Sequence, residues 1–400
     1  VFDNYRNTKK NDAKSFKELY QSLEKAIQDN LIADVTTSTF FSGGIDSTLV
    51  SKIANKHNEN IQTFTIGFND DTYDESKYAI KLSDEINLKN YTKVINVDQM
   101  VEILLKSPDI YDEPFGDKSL VPTYLVSKAV KDMNIKVVLS GDGGDEFFYG
   151  YNRYKTAKKL NKIYKIMNPI SKISYVMTKL IKGSFLHYVS TLFRDEKSFQ
   201  YAAYTGYGGW YANRALISSE FPLFMQKKFE FLDTRPNLNI ITKMALVDQI
   251  MYLPDNILTK VDRASMANSI ETRVPLLEHP FILKSYEFEV HDHIKDNNTK
   301  LILKKLLEEW VPEYDFKKQK QGFSISKERL LKDSRIKEKM NEFLDKNYLD
   351  KQAIFSYKYI NRIVKSYYLN SNKKRMESFV WNYFIFQNWY KTYITPNFRN

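Results

Sequence analysis

"TFFSGGIDSTLV" (residues 39–50) decides how this chain is read. An apolar run ends in Ser42, Gly43 and Gly44, and Asp46 and Ser47 then open a helical pattern. Glycines after a buried strand let the backbone turn sharply and bring its N–H groups close to a ligand. A following helix adds its positive amino end, which favours phosphate. Ser42 and Ser47 add hydroxyl donors, so the stretch has the parts of an anion cradle. It is neither GxxxxGK[ST] nor GxGxxG, the two commoner phosphate loops. Asp46 sets it apart. A carboxylate beside a polyphosphate repels it unless a cation lies between them, and a magnesium ion held by Asp46 and phosphate oxygens is the economical explanation. Taken alone, the same residues also fit a plain glycine turn with Asp46 as a helix N-cap.

The flanking pattern repeats the arrangement. Ser15 and Glu18 form a capping-box pattern, and apolar residues at helical spacing predict an amphipathic helix from there to about Ile32. Strands are expected at 38–41, 61–68, 91–97 and 135–141, with helices at 47–58, 74–87 and 121–133. Short connections between alternating strands and helices imply βαβ units and an α/β fold, a parallel twisted sheet with helices on both faces. Ligands of such sheets bind beyond the carboxyl ends of the strands. The glycine-rich turns at 42–44 and 141–144 both fall at such ends, and the fold is expected to bring them to one edge. After about residue 150 helical periodicity and aromatics dominate, predicting a mainly helical C-terminal lobe. The expected division is an α/β core over 1–150 that carries the glycine-rich turns, a basic helical region over 151–240, and a helical lobe over 241–400.

Composition bounds the rest. Four hundred residues exceed the size at which one core usually stops growing. There is no cysteine, which excludes disulfides, thiolate zinc sites and a thiol nucleophile within these residues. No stretch approaches a membrane span, and the polar first residues lack a signal-peptide core, so a cytoplasmic location is expected. Val1 in place of Met is expected of a fragment or a processed form. The net charge of +11 permits an anionic partner without choosing one. Eight lysines and no acid between Lys155 and Lys182 fit a solvated basic surface, with Pro169 dividing two helices. They also fit a membrane or nucleic-acid face.

Three further blocks narrow the chemistry. "VVLSGDGGDEFFYGYNRY" (137–154) repeats strand, glycine turn and carboxylates, with Asp142, Asp145 and Glu146 suited to metal binding or proton transfer. In "YLPDNILTKVDRASMANSIETRVPLLEHPF" (252–281), a charged KVDR sits inside a helix, and Asp262, Arg263, Glu271 and Arg273 are expected to form a buried or half-buried ion network. In "KKQKQGFS" (317–324), Lys320 precedes a glycine turn; taken alone, such a lysine fits ordinary surface.

SGGIDS resembles the SGGxDS loop of the ATP pyrophosphatase (PP-loop) superfamily. With the three blocks and "YDEPFGDKSLVPTYLVSK" (111–128), the chain resembles the synthetase domain of the asparagine synthetase family, over roughly 15–150 and 240–330. The resemblance implies an ATP-dependent, AMP-forming ligase that converts aspartate to asparagine through β-aspartyl-AMP. It places Ser42, Gly43, Gly44, Asp46 and Ser47 on the pyrophosphate portion of ATP. Asp46 and Asp145 match magnesium ligands. Phe41, Ile66, Ser140 and Gly141 match contacts to the adenylate. Lys320 matches a lysine on the departing pyrophosphate, and Asp142 an acid that accepts a proton from ammonia. The implied partners are small molecules: ATP, aspartate or a related carboxylate, and ammonia. No nucleic acid is implied, and a homodimer is compatible with the family. The family's amino-terminal glutaminase domain, with its initial cysteine, is not among these residues, so free ammonia or a separate glutaminase domain or subunit is expected. Asp142 stands where well-known asparagine synthetases carry Glu, which keeps open amidation of another carboxylate or amide closure within one molecule. A PP-loop tRNA-modifying enzyme suits the charge but lacks the blocks at 137–154 and 252–281. Tyr149 occupies a position usually held by glycine.

Overall fold

The computed structural model describes residues 13–69, 74, 76–155, 238–296, 298–316, 325–369 and 374–395, with isolated positions between 162 and 173. The basic stretch around Pro169 and the "KKQKQGFS" block with Lys320 therefore lie essentially outside the described residues. The chain forms two compact units, the first being 1–111 with 117–155 and 248–326, the second 112–116 with 156–247 and 327–400.

The first unit holds a five-stranded parallel sheet. Its strands are β1 (Thr37–Phe40), β2 (Gln62–Phe68), β3 (Lys89–Ile95), β4 (Val137–Leu139) and β5 (Glu271–Arg273), in the order β3-β2-β1-β4-β5. Register pairs Ser38 with Gln62 on one side of β1 and with Val138 on the other. Thr37, Ser38, Thr39 and all of β4 are buried, as expected of central parallel strands covered on both faces. The chain runs outward from β1 to β3 and then returns to β4 beside β1. That reversal puts the switch point, and its crevice, at the carboxyl ends of β1 and β4.

Helices cover the sheet. Leu19, Leu23 and Ile27 of α1 (Ala13–Leu31), Leu49, Val50 and Ile53 of α2 (Ile45–His57), and Ala79 and Leu82 of α3 (Ser76–Glu85) share one apolar core with Ile302, Leu303, Leu306 and Leu307 of helix Leu301–Trp310. A second group, α4 (Val97–Leu105), α5 (Ser107–Tyr111), α6 (Leu120–Asp132) and helix Thr259–Met266, packs together with α6 laid on β2. The expected α/β sheet with a helical C-terminal region is therefore present. Two local expectations are corrected. The first helix is already formed at Ala13, so Ser15 lies buried inside it and is not its cap. β5 falls within the block expected to carry ion pairs; three residues with no apolar run give no strand signal.

The second unit is helical in its described residues. Helices Lys327–Leu331, Ser334–Phe343, Lys346–Gln352, Tyr357–Leu369 and Lys374–Tyr393 surround a core that includes Phe343, Val380, Trp381 and Phe384. Trp381 Nε1 donates to the Gly116 carbonyl at 2.7 Å, tying the short 112–116 segment to that core.

His293 is fully buried in the first unit against Phe148, Tyr149 and Phe288, with ring centroids 5.0 Å apart for Tyr149. Burial lowers its pKa to about 4, against the opposing influence of a Ser285 backbone hydrogen bond and Asp292. The folded value lies below the unfolded one, so this histidine favours the fold above about pH 6.5 and loses that contribution as pH falls toward 4. Between pH 7 and pH 5 the loss is expected to be about 2 kcal/mol, from roughly 1.4 kcal/mol per pH unit. Urea midpoints at the two pH values, compared with those of His293→Leu, check this: the variant should lack that part of the acid sensitivity. Equal pH dependence in both proteins would refute it. Tyr149 itself has φ +56°, which explains why glycine suits its position; its ring packs on Tyr154 and His293 instead.

Candidate active site

The first loop leaves β1 and turns at Gly43, whose φ of +68° is a left-handed conformation. That backbone is easy for glycine and strained for residues with a Cβ. Ser42 and Ser47 close the loop on itself, their hydroxyls 3.0 Å apart, and Ser42 N–H donates to Ser47 Oγ at 3.2 Å. The Ser47 hydroxyl also reaches the Gly44 carbonyl at 3.2 Å. Tyr314 donates its hydroxyl to the Gly43 carbonyl at 2.9 Å, fixing the turn from outside. The helix α2 begins at Ile45, so Asp46 sits in its first turn and Gly44 is the cap residue. The plain N-cap reading of Asp46 therefore fails: its buried carboxylate contacts another loop.

That loop leaves β4. A Cβ on Gly141 would lie 2.8 Å from Ser47 N and 2.9 Å from the Asp46 carbonyl carbon, so only glycine lets the two backbones meet this closely. Ser140 Oγ donates to Asp142 Oδ2 at 2.8 Å and aims that carboxylate. The next turn presents Asp145 and Glu146 from the short helix α7 (Gly144–Phe147).

Between the two loops lies a cation. Lys300 Nζ pairs with Asp46 Oδ2 and with Asp145 Oδ1, the latter at 2.7 Å. Burial opposes its charge, but Asp145 and Asp46 outweigh it and hold the ammonium above the ordinary lysine range. Lys300 has φ +55° and immediately precedes helix Leu301–Trp310. Asp46 and Asp145 thus converge on a point that one positive charge, the Lys300 ammonium, already satisfies.

Both loops open on a cavity of about 880 Å³, counting its mouth. Its walls include Phe41, Ser42, Asp46, Ser47, Ile66, Ser140, Gly141, Asp142, Asp145 and Glu146, together with Thr123 and Val126 of α6 and Ile257, Lys260 and Val261. Glu146 is 1% exposed. Burial, with Asp145 beside it, raises its pKa to about 8, and it accepts a short hydrogen bond from the Tyr151 hydroxyl. Tyr151 is held in turn: Arg153 lies 4.1 Å above its ring and chelates the fully buried Asp248 at 3.0 and 2.5 Å. Asp117 accepts from Asn256 Nδ2 at 2.8 Å and from Ser119 N and Oγ at 2.8 and 2.9 Å. Burial would raise its pKa, but Lys260 and these donors hold it below the usual carboxylate value.

All the candidate residues except Gly43, Gly44 and Lys320 line this cavity; the two glycines form the turn beside it, and Lys320 lies outside the described residues. Asp262, Arg263, Glu271 and Arg273, expected to form one buried or half-buried ion network, pair off locally, with only Arg273 half-buried. Asp262 and Arg263 face each other at 3.7 Å with about half their surface in solvent, while Arg273 pairs with an exposed Glu271 at 2.7 Å and caps the Asn30 and Ile32 carbonyls. Side-chain direction on a helix and a short strand separates these charges. Sequence reasoning missed Lys300, Tyr314, Asp117 and Lys260. Lys300 had no local signal in "DNNTK", whereas Lys260 stood inside the singled-out KVDR, where an apolar-flanked lysine could have been noticed.

Among the described residues no group of three or more His, Cys, Asp or Glu side chains could hold a metal ion by protein ligands alone. Among those residues no helix is long and apolar enough to cross a membrane.

The sheet, its switch point and the paired glycine loops define an α/β protein with a cavity built for a ligand at the strand ends. The family model described as Asparagine synthase matches residues 18–391, and the chain belongs to that family. It is similar to a putative asparagine synthetase (glutamine-hydrolyzing) of Mycobacterium bovis, with 30% identity over 328 residues, covering 80% of this chain and 49% of the relative. It is also similar to asparagine synthetase (glutamine-hydrolyzing) 1 of Bacillus subtilis, with 27% identity over 424 residues, covering 99% of this chain and 62% of the relative. The chain thus spans about half to three-fifths of the length of these curated relatives.

Proposed function

We propose that this chain is the synthetase part of an ATP-dependent, AMP-forming amide ligase, with aspartate as acceptor and asparagine as product. The observation that supports this most is the contact between the two loops: Gly141 lies against the Asp46–Ser47 backbone, so a phosphate cradle and the carboxylate Asp142 open on one cavity. On this reading 1–150 is the ATP-binding core, 151–240 a variable basic region and 241–400 a helical lobe.

In the first step a carboxylate oxygen of the acceptor attacks the α-phosphorus of ATP. The bond to the bridging oxygen breaks and pyrophosphate leaves with the electron pair. Backbone N–H groups around Ser42–Ser47 and the two hydroxyls bind the leaving group as charge develops on it. Phe41 and Ile66 pack the adenylate, and Ser140 and Gly141 contact it. In the second step ammonia attacks the acyl carbon, Asp142 accepts a proton from the amine, and AMP departs with the C–O bond pair. Lys320 is assigned to the departing pyrophosphate on the family resemblance.

Asp46 and Asp145 suit a magnesium ion: two oxygen donors from separate loops already meet at one positive charge, and phosphate oxygens would complete the shell. Such an ion would neutralise charge on the leaving group. The nitrogen source is free ammonia or a glutaminase domain or subunit.

The test is product analysis with ATP and aspartate, comparing ammonium with glutamine. AMP, pyrophosphate and asparagine in equal amounts support the reading. ADP, or AMP without aspartate dependence, would overturn it.

A further inference from the structure

We propose that Lys260 is the residue that sets preference for the acceptor, by binding the carboxylate of aspartate that does not react. The proposal rests on the amidation reading above. Lys260 is 8% exposed and is one of the residues that line the cavity. A buried ammonium is costly unless it is compensated. Asp117 feels its charge, but that carboxylate takes its hydrogen bonds from Asn256 and Ser119. Lys260 lies inside helix Thr259–Met266, where side chains three and four residues apart share a face. Its neighbours on the cavity wall, Ile257 and Val261, offer no polar group, and of the α6 residues there Val126 is apolar and Thr123 carries only a hydroxyl, so this wall holds no carboxylate.

The charges around the cavity leave one fitting ligand. Among the described lining residues, Asp46, Asp142, Asp145 and Glu146 are acidic and Lys260 alone is basic. The phosphate loop has its own cation in Lys300, shared by Asp46 and Asp145. Lys260 belongs instead to the α6-facing wall with Ile257 and Val261. An anion docked there is carried by the acceptor. With aspartate, the side-chain carboxylate reacts and the α-carboxylate meets Lys260. The Asp117–Asn256 hydrogen bond keeps the Asp117 carboxylate in place behind the cavity wall.

The test compares L-aspartate with 3-aminopropanoate, which keeps the reacting carboxyl and lacks the second one. Pyrophosphate release is measured with ATP and ammonium chloride on the full chain. A charge-assisted hydrogen bond of this kind predicts that Lys260→Met lowers kcat/KM for aspartate roughly tenfold to a hundredfold, mainly through KM. The value for 3-aminopropanoate should stay within about threefold, so the preference collapses, and KM for ATP should not move. Lys260→Arg keeps the charge and should restore the preference for aspartate. Should the Met variant fail to fold, Lys260→Gln gives the same comparison. A preserved preference in the neutral variants, or an equal rise in KM for ATP, overturns the proposal while leaving the amidation reading intact. A wild-type chain that forms no AMP with any dicarboxylate overturns both.

Discussion

Asp46→Asn is expected to lower AMP and pyrophosphate formation by about 10²–10³-fold, the loss typical of removing one preorganised charge-stabilising group. The change keeps the size and shape of the side chain and removes its charge. Asp46 is 6% exposed and shares Lys300 with Asp145. On the proposed mechanism the change replaces one of two carboxylate donors to a cation facing the phosphates with a neutral amide oxygen, so the departing pyrophosphate would keep more uncompensated charge. The defect should lie in the first step, so aspartate-dependent exchange of pyrophosphate into ATP should fall as far as overall turnover. Thermal unfolding of the variant separates this from collapse of the loop. A folded Asp46→Asn protein that still releases AMP and pyrophosphate at the wild-type rate would end the mechanism proposed here.

Much of this site was legible because its residues are local in sequence. SGGIDS and SGDGGDE each carry a turn, a donor set and a carboxylate within seven residues, and the alternation around them placed both turns at strand ends. Their meeting then followed from topology, since β1 and β4 are neighbours at the switch point. What escaped was long-range. Lys300 is 254 residues from its partner Asp46, and Tyr314 is 271 from Gly43. Neither is marked by its own neighbours, because an ordinary lysine and an ordinary tyrosine acquire their roles only when the fold delivers them. The charges expected as a network in 252–281 pair only locally, for a related reason. Charge identity reads directly from a sequence, but burial of a charge depends on which way a helix faces. Asp262 and Arg263 point outward while Lys260, two residues earlier, points in.

Lys300→Met is the sharper test of whether Asp46 and Asp145 form a cation site. Removing the ammonium leaves two carboxylates converging on a neutral side chain, and breaking a buried ion pair from one side typically costs about 3–5 kcal/mol. The variant should therefore melt well below the wild type and form AMP at least about a hundredfold more slowly. Two further measurements distinguish a cation site from a structural salt bridge. Millimolar Mg²⁺ should raise the melting temperature of Lys300→Met more than that of the wild type, because a ligand that binds only the folded state stabilises it by mass action and here replaces the lost charge. The double variant Asp46→Asn with Lys300→Met should be less destabilised than the two single changes added together, since the more deeply buried of the two carboxylates then no longer lacks a counter-charge and only the half-exposed Asp145 does. Additive losses with no response to Mg²⁺ would show that the lysine packs beside the carboxylates without balancing them, and the assignment of Asp46 and Asp145 as magnesium ligands would then fail with it.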